Sequence, residues 1–128
     1  TFRHVIDHHE NLWGYLIYES EESDSAAGYA LLTTYWCNEE GGNVLLLDEL
    51  YIAPPFRHKG YAKQFMEWMQ EKFKKKVVSV TLEVLTGNER AISLYKEEGF
   101  DPDSDEKDKE GNEFVYYSKR LDGAGGEE

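Results

Sequence analysis

The chain has 128 residues, of which 40% are hydrophobic and 14% aromatic, so a single folded domain with a modest core is expected and a disordered chain is excluded. Acidic residues outnumber basic ones by 26 to 14, and the net charge of −12 argues against nucleic acid or an anionic membrane as a main partner. The single Cys37 excludes an internal disulfide, no apolar run is long enough to span a membrane, and the expected location is the cytoplasm.

The first part of the chain predicts a polar surface segment followed by an antiparallel meander. Residues 1–11 contain His4, His8 and His9. If this segment were a helix, His4 and His8 could share one face and bind a metal, but no cysteine or carboxylate pattern completes such a site. No metal is therefore predicted. Three apolar segments rich in strand formers follow, at residues 12–19, 27–37 and 44–52. The short turns between them predict antiparallel pairing.

A basic loop follows the third strand, which ends where Pro54 and Pro55 remove backbone donors. We name residues 57–63 the basic loop; it opens a helix that is predicted to end near residues 74–76. One face of this helix is apolar and comprises Ala62, Phe65, Met66, Met69 and Phe73. Unpaired N–H groups and the positive dipole end at such a helix start favour a pyrophosphate, whereas a solvated loop glycine is the alternative interpretation.

The rest of the chain predicts a crossover and a final hairpin. Residues 77–85 predict a strand that a helical connection makes parallel to the third strand. A second helix is expected from about Asn88 to residue 98, with either Asn88 or a Thr86–Glu89 capping box at its start and Gly99 at its end. A short strand from Phe100 and a last strand at residues 114–121 flank an acidic connection at residues 101–113.

The predicted fold class is therefore α/β (α+β), with a mixed, mainly antiparallel central sheet and one parallel β-α-β crossover. Residues 1–121 are expected to form a single domain, and residues 122–128 are Gly-rich and acidic, which predicts a flexible tail.

Two separated segments resemble the GNAT superfamily of acyl-CoA N-acyltransferases. The basic loop, RHKGYA at residues 57–62, resembles the family's R/Q-x-x-G-x-G/A pyrophosphate loop, with Ala62 in place of the last glycine. Residues 88–100, NERAISLYKEEGF, are similar to the family's N-x-x-A-x-x-x-Y-x-x-x-G-F helix. Both motifs stand on the expected elements, and the likeness covers roughly residues 12–121.

The resemblance implies acetyl-CoA as cosubstrate and no metal. The sheet would splay apart between the strands at residues 44–52 and 77–85, and acetyl-CoA would enter that gap. Backbone groups of the third strand would pair with the pantetheine arm, the basic loop would hold the pyrophosphate, and Tyr95 would lie beside the thioester sulfur. The implied cofactor-binding residues are Leu50, Tyr51, Ile52, Arg57, His58, Lys59, Gly60, Tyr61, Ala62, Lys63, Asn88, Ala91 and Tyr95.

The chain departs from the resemblance at its start. Family members usually carry an N-terminal strand and one or two helices before the strand predicted at residue 12, and those helices wall the acceptor site. Only about eleven residues precede that strand here. The expectation is therefore a GNAT-like fold that lacks part of the usual N-terminal region. Three explanations stay open: the chain is a fragment, another chain supplies the wall of the acceptor site, or the acceptor site is unusually open.

Three side chains are candidates for the chemistry. Asp48 and Glu49 are adjacent carboxylates in the third strand, and strand alternation predicts one on each face of the sheet. The resemblance to the diamine acetyltransferase branch favours Asp48 as the general base, acting through a water, with Glu49 as the alternative; solvent-facing strand charges are the plain interpretation. The similarity of residues 88–100 to the family's helix motif makes Tyr95 the general acid toward the CoA thiolate, whereas a core tyrosine is the plain interpretation.

The function implied by the resemblance is an N-acetyltransferase. It would transfer an acetyl group from acetyl-CoA directly to a primary amine of a small molecule or peptide in a ternary complex. Acidic segments at residues 19–24 and 101–113 favour a cationic acceptor, although ordinary solvated turns explain them equally well. A catalytically inactive CoA-binding regulatory module is the alternative function, and a homodimer is an expectation from the resemblance alone.

Overall fold

A computed structural model describes residues 1–9, 11–103 and 114–121, with the backbone alone at residues 4–9. Within these ranges one sheet has the strand order β1-β2-β3-β4-β5-β7-β6. The strands are β1 (Phe2–His9), β2 (Leu12–Ile17), β3 (Gly28–Cys37), β4 (Gly42–Ile52), β5 (Ser79–Leu85), β6 (Asp101–Pro102) and β7 (Phe114–Arg120). The helices are α1 (Tyr61–Phe73) and α2 (Glu89–Glu97), and a 3₁₀ turn (Pro54–Phe56) precedes α1.

The pairing of the strands confirms the predicted fold class. All neighbouring strands are antiparallel except β4 and β5, which are parallel and are joined through α1. The acidic connection predicted at residues 101–113 lies outside the described residues from residue 104 onward, and so does the predicted tail at residues 122–128. Among the described residues no helix is both long and apolar enough to cross a membrane.

The start of the chain, predicted as a polar surface segment, forms a strand at the edge of the sheet. Strand β1 pairs antiparallel with β2, with Phe2 opposite Ile17, so His4 and His8 do not lie on a helix. The ring of Phe2 lies 5.2 Å from that of Phe65 and 4.9 Å from that of Trp68, both on α1. The N-terminal strand that the chain was expected to lack is therefore present.

Both helices pack on one face of the sheet, which we name the helix face. All four predicted apolar residues of α1 from Phe65 onward are buried, as is Tyr95 of α2. They share one hydrophobic cluster with alternate strand residues, namely Tyr15, Ala30, Leu32, Leu45, Leu47, Val80, Leu82, Val84, Val115 and Tyr117. Their strand neighbours point the other way. This opposite face, the open face, carries the exposed side chains Tyr29, Tyr35, Tyr51, Leu85, Phe114 and Tyr116.

Strands β4 and β5 separate halfway along their length. Their ladder runs from the Val44–Ser79 pair to the Leu47–Leu82 pair and then stops, although β4 continues to Ile52 and β5 to Leu85. At the same point β4 contains a bulge. In the pairing of β3 with β4, Leu31 lies opposite Glu49 and the next residue, Leu32, lies opposite Leu47, so Asp48 has no partner on β3. Asp48 is thus an extra residue that bends β4 away from β5. The predicted gap in the sheet is present.

Glycine is required at position 28, where β3 passes close to the end of β4. A Cβ on Gly28 would collide with the carbonyl oxygen of Tyr51, a backbone atom that can move only with the strand. We expect Gly28→Ala to destabilise the fold by about 1–3 kcal/mol, the usual cost of overpacking, as measured by urea denaturation. Gly87→Ala is the control, since a Cβ there has no neighbour within 4 Å. Equal unfolding midpoints for the two variants would contradict this prediction.

Candidate functional site

The gap between β4 and β5 opens into a recess of about 300 Å³. Its β4 wall is formed by Asp48, Glu49, Leu50 and Tyr51, and the opposite wall includes Glu83, Leu85 and Phe114. Asn88 and Tyr95 lie between the two walls. The recess therefore collects all three predicted catalytic side chains, which come from a strand and a helix that are far apart in sequence.

A second recess of about 490 Å³ surrounds the basic loop. Its lining includes Arg57, Gly60 and Ala62 of the loop and Ala91 of α2. The two recesses share the lining residues Leu50, Tyr51, Asn88 and Tyr95. They form one groove that leads from the start of α1 to the gap in the sheet.

The start of α1 offers backbone donors without partners. Gly60 is the N-cap in the left-handed region, with φ 86°, and it provides no side-chain cap. His58 is also left-handed, with φ 67°. Within the described ranges, no hydrogen bond uses the amide N–H groups of residues 58–63. Unpaired amides at the positive end of a helix dipole form a site for an anion such as a diphosphate.

The two lysines of the basic loop form ion pairs within the protein. Lys59 pairs with Glu19 at 3.1 Å, and Lys63 approaches Glu97 and Glu98 at 3.3 and 3.4 Å. The phenol of Tyr61 donates to the same Glu19 carboxylate at 2.7 Å. These hydrogen bonds, first from Tyr61 and then from Lys59, lower the pKa of Glu19. The two lysines are thus paired within the protein, whereas the backbone amides of the loop remain free for an anion.

Arg57 is held differently from the lysines. Its Nε donates to the carbonyl oxygen of Ile52 at 2.7 Å, and its guanidinium carbon lies 5.5 Å from the centre of the Tyr51 ring. No described carboxylate pairs with Arg57. Its remaining N–H groups are therefore available to a ligand in the groove.

Asn88 caps α2 and faces the groove. Its side-chain oxygen accepts a hydrogen bond from the amide of Ala91 at 3.1 Å. The capping alternative left open by the sequence is thus settled in favour of Asn88 rather than the Thr86–Glu89 box. The side-chain nitrogen of Asn88 remains a hydrogen-bond donor at the junction of the two recesses.

Both candidate carboxylates, Asp48 and Glu49, lie on the open face, so the expectation of one on each face was wrong. The phenol of Tyr29 donates to Glu49 Oε1 at 2.8 Å, and Tyr29 is on the open face because its neighbour Ala30 is in the core. The charge of Glu83, with a smaller contribution from Asp48, raises the pKa of Tyr116, which also lies on the open face. The bulge is the cause, because an extra residue breaks strand alternation.

Comparison with known proteins decides the family. The model of the acetyltransferase (GNAT) family matches residues 2–100. The chain belongs to the GNAT acetyltransferase family. No curated protein matches the sequence.

Solved structures share the GNAT fold at low sequence identity. Arabidopsis thaliana NAA60 in complex with a bisubstrate analogue has a TM-score of 0.67 at 16% identity, with 88% of this chain and 77% of that chain covered. Arabidopsis thaliana Naa50 in complex with the bisubstrate analogue CoA-Ac-MVNAL gives 0.68 at 22%, covering 83% and 71%. The PaiA N-acetyltransferase of Thermoplasma acidophilum in complex with coenzyme A gives 0.66 at 21%, covering 86% and only 61%.

Tyr95 lies at the centre of the GNAT groove. Only 8% of its surface is exposed, and it contributes to both recesses. Burial raises the pKa of its phenol, so Tyr95 keeps its proton at neutral pH. Tyr95 is thus a proton-bearing group at the point where the groove meets the gap.

Tyr29 lies beside the gap of this GNAT domain and is not among the site residues predicted from the sequence. The signal was present in the alternation of β3, where Tyr29 stands between buried neighbours. Its relation to Glu49 depends on the register between β3 and β4, which the sequence does not specify. Among the described residues no group of three or more His, Cys, Asp and Glu side chains is arranged to hold a metal ion.

Proposed function

We propose that the chain transfers an acetyl group from acetyl-CoA directly to a primary amine in a ternary complex. The observation that carries this proposal is the continuous groove from the unpaired amides at the start of α1 to the carboxylates at the sheet gap. Such a groove suits an elongated ligand with a diphosphate at one end and a thioester at the other. Membership of the GNAT acetyltransferase family supports the same reaction class.

The chain would hold acetyl-CoA mainly through backbone groups. The amides of residues 58–63 would bind the diphosphate, with Arg57 beside them. Beyond Leu47, β4 has no ladder partner on the β5 side, so Leu50 and Ile52 can offer backbone donors and acceptors to the pantetheine arm. The amide nitrogen of Asn88 would contact the same arm from the α2 side.

The carboxylates would act on the acceptor amine. Asp48 or Glu49 takes one proton from the ammonium group, and the freed lone pair forms the C–N bond while the C–S bond breaks. In total the nitrogen loses two protons, of which one ends on the CoA sulfur and the other enters solvent.

Tyr95 would stabilise the leaving sulfur. A thiol ordinarily has a pKa of about 8.5, below that of a phenol, and burial raises the pKa of Tyr95 further. Tyr95 would therefore donate a hydrogen bond to the developing thiolate rather than surrender its proton completely. This role refines the general-acid assignment made from the resemblance.

The acceptor is proposed to be a cationic amine of a small molecule or a peptide. Three carboxylates line the gap, from Asp48, Glu49 and Glu83, whereas its lining residues include no Lys, Arg or His. The exposed rings of Tyr29, Tyr51 and Phe114 border the same recess and favour a nearby ammonium group. A peptide acceptor is supported by the peptide-bearing analogue bound to Arabidopsis thaliana Naa50.

Turnover with a panel of amines tests the proposal. The purified chain is mixed with acetyl-CoA and a polyamine, an amino-sugar or a lysine-bearing peptide, and CoA thiol release is followed together with the mass of the amine. We expect thiol release that depends on an amine and a matching gain of one acetyl group. A thermal shift with CoA but no turnover would instead indicate the regulatory module, and no binding at all would overturn both functions.

A further inference from the structure

Tyr29 makes a specific contact at the rim of the gap. Its hydroxyl donates to Glu49 Oε1 at 2.8 Å, although the side chain is 38% exposed and water is available to both groups. The bond crosses from β3 to β4 diagonally, because the residue directly opposite Glu49 is Leu31 and the one opposite Tyr29 is Tyr51. A phenol reaches this diagonal position, whereas a shorter hydroxyl would not.

The ring of Tyr29 is held in place from the side of the basic loop. It packs against the Tyr51 ring at 5.6 Å, and the Tyr51 ring in turn lies 5.5 Å from the guanidinium carbon of Arg57. Arg57 is fixed by its bond to the Ile52 carbonyl. Glu49, Tyr29, Tyr51 and Arg57 therefore form a continuous row along the open face, from the gap to the loop.

The hydrogen bond leaves Glu49 ready to act as a base. Tyr29 occupies Oε1, so Oε2 remains for a proton from the acceptor amine. The bond to Glu49 raises the pKa of Tyr29, and the phenol thus keeps its proton and remains a donor. Asp48, the bulge residue, receives no hydrogen bond from any described residue. Of the two carboxylates, only Glu49 is oriented by a described donor.

We propose that Glu49 is the general base of the acetyl transfer and that Tyr29 is the positioning residue that orients it. This inference rests on the proposed function and departs from the sequence-based preference for Asp48. A base must lie within hydrogen-bond reach of the proton it takes, and a carboxylate locked by a partner holds that position better than a free one.

Tyr29→Phe tests the inference because it removes only the hydroxyl. We expect kcat to fall about 10- to 100-fold, the value of one hydrogen bond to a charged group, with the KM for acetyl-CoA unchanged within about twofold.

Tyr35→Phe is the matched control. Tyr35 lies on the same strand and the same face and is similarly exposed, but its hydroxyl bonds to Thr81 and not to a carboxylate. This variant should keep the wild-type kcat and KM. Equal losses of kcat in the two phenylalanine variants would reveal a general structural effect and overturn the inference.

A second readout separates this inference from the proposed function. The side-chain rotamers of Glu49 are measured by NMR scalar couplings in the wild type and in Tyr29→Phe. Glu49 should hold one rotamer in the wild type and several in the variant, and equal rotamer populations would overturn the positioning role whether or not an acceptor has been found. Unchanged turnover of Tyr29→Phe in an active enzyme would also overturn it and leave the acetyltransferase function standing. Absence of turnover in the wild type would instead count against the function itself.

Discussion

Replacing Ala62 with aspartate is expected to weaken acetyl-CoA binding about 100-fold or more while the domain stays folded. Ala62 is the second residue of α1, after the N-cap Gly60, and it lines the groove at the basic loop. A carboxylate there would stand where the diphosphate is proposed to bind. Two unit charges about 4 Å apart repel by about 4 kcal/mol at an effective dielectric constant of about 20, which is enough for a loss of this size.

The same substitution should not harm the fold. An acidic side chain in the first turn of a helix is favourable by about 0.3–1 kcal/mol, because it complements the positive end of the dipole. Loss of binding in Ala62→Asp would therefore not be a consequence of unfolding. Isothermal titration calorimetry with acetyl-CoA measures the affinity, and a thermal melt without ligand verifies the fold.

Ala62→Ser is the control for the size of the side chain at this position. A hydroxyl is small and uncharged and can donate to a phosphate, so the affinity should stay within a few-fold of the wild type. If Ala62→Asp bound acetyl-CoA as tightly as Ala62→Ser does, the diphosphate would not lie at the start of α1.

The sequence predicts the elements whose signals are local. The apolar face of α1 follows from the spacing of Phe65, Met66, Met69 and Phe73, and all four are buried. The end of α2 follows from Gly99, which adopts a left-handed φ of 96°. Strand β1 is different, because its segment is polar and its strand character depends on pairing with β2 and on contacts between Phe2 and α1.

The site shows the same division between local and non-local signals. The motifs predict which residues line the groove, because a glycine loop and a helix start are local features. The bulge at Asp48 could not be predicted, since it depends on the register between β3 and β4. The pairing of Lys59 with Glu19 is equally hidden, because it joins the loop to a residue 40 positions earlier. Side-chain orientation and charge pairing in this groove are therefore tertiary properties.

Glu49→Gln is expected to reduce kcat by about 100- to 1,000-fold, within the range that general acid–base catalysis contributes. The amide has the size of the carboxylate and its oxygen can still accept the Tyr29 hydrogen bond, but it cannot take a proton at neutral pH. The KM for acetyl-CoA should stay nearly constant, because the basic loop and the groove along α2 are untouched. Steady-state rates at saturating acetyl-CoA and amine measure this effect.

Asp48→Asn separates the two adjacent carboxylates. If Asp48 only adds negative charge at the gap, its amide variant should raise the KM of a cationic acceptor and lower kcat by less than about tenfold. The opposite ranking, with the larger kcat loss in Asp48→Asn, would return the base to the residue that the family resemblance favoured. Losses that fail to add in the double variant would show that the two groups act as one unit. Because the bulge places both carboxylates on the open face, their position cannot distinguish them, and the distinction rests on the Tyr29 hydrogen bond that only Glu49 receives.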